Sequence, residues 1–311
     1  MKWGYCVEYL HKDREQFAEA IDVAAYKNGL EPEIVEKDYY VTVILQKLAE
    51  RFNFVVFKGG TSLSKCHRVI RRFSEDIDIT IDSRISQGQK KKLKQGIVEI
   101  AEELGLKIPN IEDTRSRRDY NRYELEYVSV LDRLSDTVNP AVLMETSFTE
   151  VSFPTVVLPV HSYIGDLFLE EAPEAVERYG LNPFDMKVQG IDRTLADKVF
   201  AICDYYLEGK VKKHSRHVYD ISRLLPLVAQ DEHFRILVSE VRKVRAETNI
   251  CPSSKPGVNV PELLNTIIQD DVYKEDYNML TVKLLEDPAS YEEAIQAIKI
   301  IADSTMFDEK S

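Results

Sequence analysis

Between Phe54 and Thr80 an apolar strand, a glycine pair and a strand of alternating carboxylates follow one another, and this order restricts the chain more than any other feature. Phe54-Val55-Val56-Phe57 is aromatic and β-branched, the pattern of a short buried strand. Lys58-Gly59-Gly60 breaks it. Thr61 or Ser62 is expected to cap a helix running through Leu63 to about Val69, so that the backbone N–H groups at Gly60 to Ser62 face an anion. In Ser74-Glu75-Asp76-Ile77-Asp78-Ile79 successive side chains alternate between faces, which puts Asp76 and Asp78 together and turns Ile77 and Ile79 to the core. Paired carboxylates chelate a hard divalent cation, and Mg²⁺, with Mn²⁺ as the alternative, takes one or two of them plus substrate phosphates. The segment points to nucleotidyl or phosphoryl transfer from a nucleoside triphosphate.

The succession of strand, Gly-Gly-Thr-Ser, helix and Arg72-x-Ser74-x-Asp76-x-Asp78 resembles the nucleotidyltransferase superfamily of DNA polymerase β, and within it the AbiEii/AbiGii toxin family of bacterial toxin–antitoxin and abortive-infection systems. Glu36-Lys37-Asp38-Tyr39-Tyr40-Val41-Thr42 is similar to that family's N-terminal helix signature, and Lys58-Gly59-Gly60-Thr61-Ser62-Leu63-Ser64-Lys65 to its glycine motif. Leu195-Ala196-Asp197-Lys198 is similar to the motif that supplies a functional lysine. Arg216-His217-Val218-Tyr219-Asp220-Ile221 resembles Arg-Asp-x-x-Asp-Leu, which supplies a late aspartate; His217 replaces the first acid and leaves Asp220 as the residue carried over. The likeness spans roughly residues 30 to 225.

The resemblance implies a metal-dependent nucleotidyltransferase that moves a nucleotide from a nucleoside triphosphate to an RNA acceptor, with tRNA as the leading acceptor, growth arrest as the outcome and a cognate AbiEi-like antitoxin encoded nearby. On that reading Asp76, Asp78, Lys198 and Asp220 are the catalytic set, and Asp76, Asp78 and Glu145 hold the metal. Lys58, Gly59, Gly60, Thr61, Ser62, Lys65, Arg72, Ser74 and Lys198 bind the nucleotide. Glu145 interrupts the apolar run Ala141-Val142-Leu143-Met144, and an acid buried there is costly without a metal or a donor. The bland reading is a surface acid on an edge strand, and Glu124 and Glu126 compete for the same role. Lys198 either neutralises a triphosphate as a point charge or is a surface lysine. Asp220 can accept a hydrogen bond from ribose or base, orient Lys198, or deprotonate an attacking hydroxyl. Arg72 is a candidate clamp for phosphate or the acid pair, and Ser74 supports the strand. Two other readings stay open: a nucleotidyltransferase acting on a protein or small molecule, and a non-catalytic nucleotide-binding defence module.

The chain has 311 residues and a formal net charge of −12, which argues against indiscriminate nucleic-acid binding by the whole surface. Charge is unevenly placed. Arg84 to Arg122 carries ten Lys or Arg against six Asp or Glu, whereas Glu262 to Ser311 carries four against twelve. The basic stretch, with Lys90-Lys91-Lys92-x-Lys94 and Arg115-x-Arg117-Arg118, suits an RNA backbone or is a solvated helix face. Tyr205-Tyr206, beside Lys210, Lys212, Lys213 and Arg216, either stack bases or pack helices. The six histidines show no metal-ligand spacing with Cys or acid motifs and are read as solvated or RNA-facing. Cys6, Cys66, Cys203 and Cys251 are too scattered for zinc or a disulfide framework and are read as reduced thiols, with Cys66 in helix packing. The apolar runs are too short to span a bilayer and no signal peptide is seen, so no membrane contact and a cytoplasmic location are expected.

Apolar spacing predicts helices over residues 11 to 50, with Ile34, Val41, Leu45 and Leu48 on one face. Strands are expected at Phe54–Phe57, Asp76–Ile81, Tyr123–Val130, Val142–Phe148 and Thr155–Val160, with a helix near Lys90–Leu104. Beyond Pro183 the pattern becomes helical, and Ser290-x-x-Glu293 forms a capping box. The expected fold is α+β: a nucleotidyltransferase-like mixed β-sheet core with N-terminal helices over residues 1–160, and a mainly helical C-terminal domain over 161–311.

Overall fold

The computed structural model describes residues 8–131 and 139–309; Cys6 lies outside them. The fold is α+β, and the chain divides into two compact units. The first takes the chain up to Cys66, Glu75–Val151 and Thr155–Val188; the second takes His67–Ser74, Ser152–Pro154 and the chain from Gln189 onward. The expected boundary near residue 160 falls inside the first unit.

In the first unit, helices α1 (Arg14–Asn28) and α2 (Pro32–Arg51) precede strand β1 (Val55–Lys58), the short helix α3 (Gly59–Lys65) and strand β2 (Ile77–Ile81). Helix α4 (Gln87–Leu104), strands β3 (Tyr120–Glu126), β4 (Ala141–Val151) and β5 (Thr155–Val160), helices α5 (Tyr163–Glu171) and α6 (Pro173–Tyr179) and strand β6 (Phe184–Gln189) follow. The strands form one mixed sheet in the order β3-β4-β2-β1-β6-β5. Ile77, Ile79 and Ile81 of β2 are buried with Val55 and Phe57 of β1, Val142 and Met144 of β4, and Val35, Ile44, Leu45 and Leu48 of α2. Period-two alternation on the strands and period-four recurrence on α2 thus meet in one core. Helix α4 opens on a capping box at Ser86 and Gln89 and ends at Gly105, whose φ of 70° is the left-handed stop that glycine accepts most readily.

Three sequence expectations change here. Phe184–Gln189 is a strand rather than the start of the helical region: Met186 and Val188 alternate inward, and Val188 pairs with Phe57 in parallel. Its six residues run straight into the next helix, which hides their period. Strand β3 begins at Tyr120 instead of Tyr123 and ends before Val130, because Ser129 Oγ and Val130 N–H leave the ladder to donate to the Glu36 carboxylate at 2.6 and 2.8 Å. Helix α3 begins at Gly59, so Thr61 and Ser62 lie in its first turn rather than capping it. It stops at Lys65, with Cys66 as its C-cap and Arg68 at φ 55°, short of the expected Val69.

The second unit is helical: α7 (Ile191–Leu207), α8 (Arg216–Leu224), α9 (Glu232–Ala246), α10 (Val260–Gln269), α11 (Lys274–Met279) and α12 (Tyr291–Ala302). Leu195, Val199 and Phe200 of α7, Ile221 of α8, Leu264 of α10 and Ile298 of α12 are buried, and Phe200 meets Phe307 at 5.5 Å between ring centroids. The segment His67–Ser74 joins this unit by backbone pairing: Phe73 N–H donates to Leu284 O at 2.8 Å and Glu286 N–H to Arg71 O at 3.0 Å. The capping box at Ser290 and Glu293 starts α12 as its sequence leads one to expect. Cys66, Cys203 and Cys251 are buried. Among the described residues no helix is long and apolar enough to cross a membrane.

Candidate functional site

Sheet register gathers the charges of the first unit into a row. Asp78 of β2 stands opposite Glu145 of β4 on one side and Lys58 of β1 on the other, and Glu145 stands opposite Arg122 of β3. Residues paired across a sheet share a face, so Arg122, Glu145, Asp78 and Lys58 cross four adjacent strands on the face opposite Ile77 and Ile79. Glu145 therefore lies next to Asp78, whereas its competitors Glu124 and Glu126 sit on β3, which does not adjoin β2. Asp76 is half-buried and stands one residue before β2, outside the ladder.

Tyr120 and Arg122 complete this face, and the sequence reading missed both by starting the strand late. The signal was present, since Tyr120, Arg122, Glu124 and Glu126 alternate with Asn121, Tyr123 and Leu125 at period two. Burial, then the Glu145 acid and the nearby Asp78 charge, push the Tyr120 phenol above its usual pKa.

The glycine motif is shaped by the acid beside it. Gly59 has φ 80°, and a Cβ there would overlap Asp78 Oδ2, so only glycine allows the α3 backbone this close to the carboxylate. Ser62 Oγ donates to Gly59 O at 2.9 Å and is buried with Thr61. Gly60 follows in the first turn. The Glu36-Lys37-Asp38 signature acts from beneath this loop. Lys37 donates to the Glu75 carboxylate and, at 3.1 Å, to Asn139 O. Asp38 pairs with Lys65 and accepts from Tyr163 N–H at 3.0 Å. Lys65, expected to meet nucleotide, thus has its buried ammonium committed to Asp38 at the end of α3.

Asp78 and Glu145 offer hard oxygen donors side by side, and Gly59 keeps side-chain bulk off Asp78 Oδ2. Among the described residues no group of three or more His, Cys, Asp or Glu is gathered as a metal cage. A pair of carboxylates suits Mg²⁺, which is commonly held by one or two acids together with substrate phosphates rather than by an all-protein cage.

The second unit holds a separate cluster. Asp220 on α8 is fully buried and receives Arg72 as a fork, Nε to Oδ1 at 2.6 Å and Nη2 to Oδ2 at 2.8 Å. Lys198 on α7 donates to the same Oδ2 at 2.6 Å and lies 3.4 Å from His217 Nδ1. Burial alone would raise the Asp220 carboxyl, but the Arg72 and Lys198 charges outweigh it and hold the acid well below the ordinary carboxylate range. Burial pushes the Lys198 ammonium down, against the pull of Asp220. Burial and the Lys198 charge push His217 well below its usual value, so its neutral ring can accept from Lys198. Ser74, half-buried, ends the segment that carries Arg72.

The histidines are mostly structural rather than solvated. His11 bridges the Tyr39 hydroxyl at 2.9 Å and Leu104 O at 3.0 Å, and His67 bonds Gln189 O at 2.9 Å. His214 stacks under Tyr205 at 3.5 Å between ring centroids, which uses that tyrosine in packing; His233 is exposed. In the basic stretch, Lys90 pairs with Asp119 and Lys94 donates to Thr114 O at 2.9 Å, while Lys91, Lys92, Arg117 and Arg118 are exposed.

A mixed sheet with a glycine loop packed on one acid and a second acid in register beside it defines a protein of the nucleotidyl transferase class. The family described as "Nucleotidyl transferase AbiEii toxin, Type IV TA system" matches residues 43–298, and the chain belongs to that family. Membership implies a nucleoside triphosphate substrate and an antitoxin partner. No curated protein matches the chain.

Proposed function

We propose that this toxin transfers a nucleotidyl group from a nucleoside triphosphate to RNA, with tRNA as the acceptor. The observation that carries the reading is the in-register pair Asp78–Glu145, with the Gly59 backbone against Asp78. Asp78 and Glu145, joined by Asp76, hold Mg²⁺. When bound, the ion neutralises charge on the α-phosphate and lowers the pKa of the attacking hydroxyl. Lys58 and the Gly59–Ser62 turn position the triphosphate, and the α-phosphorus is held in line with the acceptor oxygen. Within the second unit, Asp220 fixes the Lys198 ammonium. Exposed Lys91, Lys92 and Arg117 follow the acceptor backbone. An AbiEi-like protein is the antitoxin.

The test incubates the full chain with total RNA, Mg²⁺ and each α-labelled nucleoside triphosphate in turn. Label on tRNA-sized RNA that Asp78→Ala abolishes is the expected result. Label that persists in Asp78→Ala, or RNA that stays unlabelled with all four nucleotides, defeats the reading.

A further inference from the structure

A buried ammonium touches the approaches to both strands that carry the acid pair. Lys37 lies on α2 with its side chain 3% exposed, and it donates to the Glu75 carboxylate and, at 3.1 Å, to Asn139 O. Glu75 stands two residues ahead of Ile77, where β2 begins, and Asn139 two residues ahead of Ala141, where β4 begins. These strands are parallel neighbours with Asp78 opposite Glu145, so Lys37 joins the entry ends of the two elements that bear the pair. Asn139 O also accepts from Ala141 N–H at 2.7 Å, so the carbonyl that Lys37 holds belongs to the turn that feeds β4. The residues on either side of Lys37 fix other parts of the same unit. Glu36 accepts from Ser129 Oγ and Val130 N–H beyond β3, and Asp38 binds Lys65 and Tyr163 N–H. Successive helix residues point about 100° apart, so one turn of α2 reaches several elements. Stability alone does not account for a lysine here. Taking an ammonium out of water is expensive, and apolar side chains of similar volume often serve a buried site as well. What the ammonium adds is one fixed point with three donors, able to hold a carboxylate and a carbonyl from two strands at once.

We propose that Lys37 is a positioning residue of the metal site: by holding the entries of β2 and β4 it sets the spacing of Asp78 and Glu145 to suit a divalent cation. The proposal rests on the reading above that this pair holds Mg²⁺. The charge of Lys37 gives the test its sign. Removing a positive charge from the approach to the acid strand strengthens the attraction of the acids for a divalent ion, whereas loss of the clamp weakens it.

The test titrates Mn²⁺ into the full chain without nucleotide and counts the free ion by its electron paramagnetic resonance signal. We expect Lys37→Met to bind Mn²⁺ about 10-fold more weakly than wild type, the size usual when a group behind the ligands is removed. Leu48→Ala, which opens a cavity under the same helix, should lower the melting temperature and leave Mn²⁺ affinity unchanged. If Lys37→Met does not fold, Lys37→Gln, which keeps a donor for Asn139 O, is read in the same way. Affinity that is unchanged or raised in the folded variant overturns the proposal, as does an equal loss of affinity in Leu48→Ala. Asp78→Ala run in parallel separates this proposal from the reading beneath it. If Asp78→Ala loses Mn²⁺ while the Lys37 variant keeps it, the positioning role alone fails. If wild type binds no Mn²⁺, or Asp78→Ala binds it as tightly as wild type, both fail.

Discussion

Asp78 in the first unit and Asp220 in the second are both acids flanked in sequence by buried apolar residues, yet their nearest charges differ. Asp78 is half-buried and has a second carboxylate, Glu145, as its in-register neighbour. Like charges directly opposite in a sheet are destabilising, a repulsion that Lys58 opposite Asp78 and Arg122 opposite Glu145 counter. Asp220 is fully buried and meets two cations, Arg72 through a bidentate fork and Lys198 through a third bond. Its charge is satisfied internally. The same residue type thus stands beside a second acid in one unit and between two cations in the other.

The sharpest way to break this contrast is to delete each acid and read activity and stability separately. Asp78→Ala should lower nucleotidyl transfer by roughly 10⁴-fold, about 5.5 kcal/mol of barrier, because a cation ligand supplies stabilisation in the transition state. Its folding stability should change by no more than about 0.5 kcal/mol, since relief of repulsion offsets the lost contacts. Single-turnover label transfer and urea denaturation check the two halves. Asp220→Ala should show the reverse emphasis, losing about 3–5 kcal/mol of stability because two buried cations are left without their acid. Equal stability losses in the two variants would erase the distinction.

What the sequence made legible follows the same division. The acid row was readable in part because strand periodicity fixes which side chains share a face, so Asp78 and the apolar Ile77 and Ile79 are assigned without tertiary information. The placement of Glu145 beside Asp78, and the inclusion of Tyr120 and Arg122, depend on strand order and register, which period two does not specify. Arg72 lies four residues before Asp76 in the chain, yet the pairing of 71–73 with 284–286 makes it part of the helical unit, where its partner is Asp220. Lys65 looked like a phosphate ligand because nothing local reveals Asp38, 27 residues earlier, as its partner. Likewise His217 read as solvated because its burial is created by Lys198 and its neighbours on another helix.

A gentler probe of the second unit is pH. The His217 pKa in the folded chain is depressed well below its unfolded value near 6.5. Between those two values the unfolded chain binds more protons than the folded one, so stability rises with pH there. The contribution is complete above about pH 6.5 and is lost as pH falls toward the folded pKa. His217→Asn should therefore flatten the stability profile below pH 6.5, measured by urea denaturation across a pH series. Part of the slope should survive, because burial also lowers His11, to about 4, and His67 and His214 in the same direction. Asp220 adds a second loss at lower pH: its depressed carboxyl contributes stability above the ordinary carboxylate pKa near 3.9 that fades as pH drops below it. An unchanged profile in His217→Asn would mean that its ring is hydrated and that the cluster is less closed than its distances indicate.

The smallest effect is expected where an ion pair resembles that of Asp220 in chemistry but not in setting. Asp119 pairs with Lys90 on the first unit, and the Asp119 side chain is 52% exposed. In water the attraction is weak, ordering two side chains costs entropy, and salt screens what remains. Asp119→Asn should therefore cost under about 1 kcal/mol, a cost that shrinks further in high salt, whereas the Asp220→Ala penalty should persist there. Parallel denaturation curves at low and high ionic strength make the comparison. If Asp119→Asn were as costly as Asp220→Ala, exclusion of water from Arg72, Lys198 and Asp220 would not be what separates the two units, and the cluster's value would lie in its fork geometry alone.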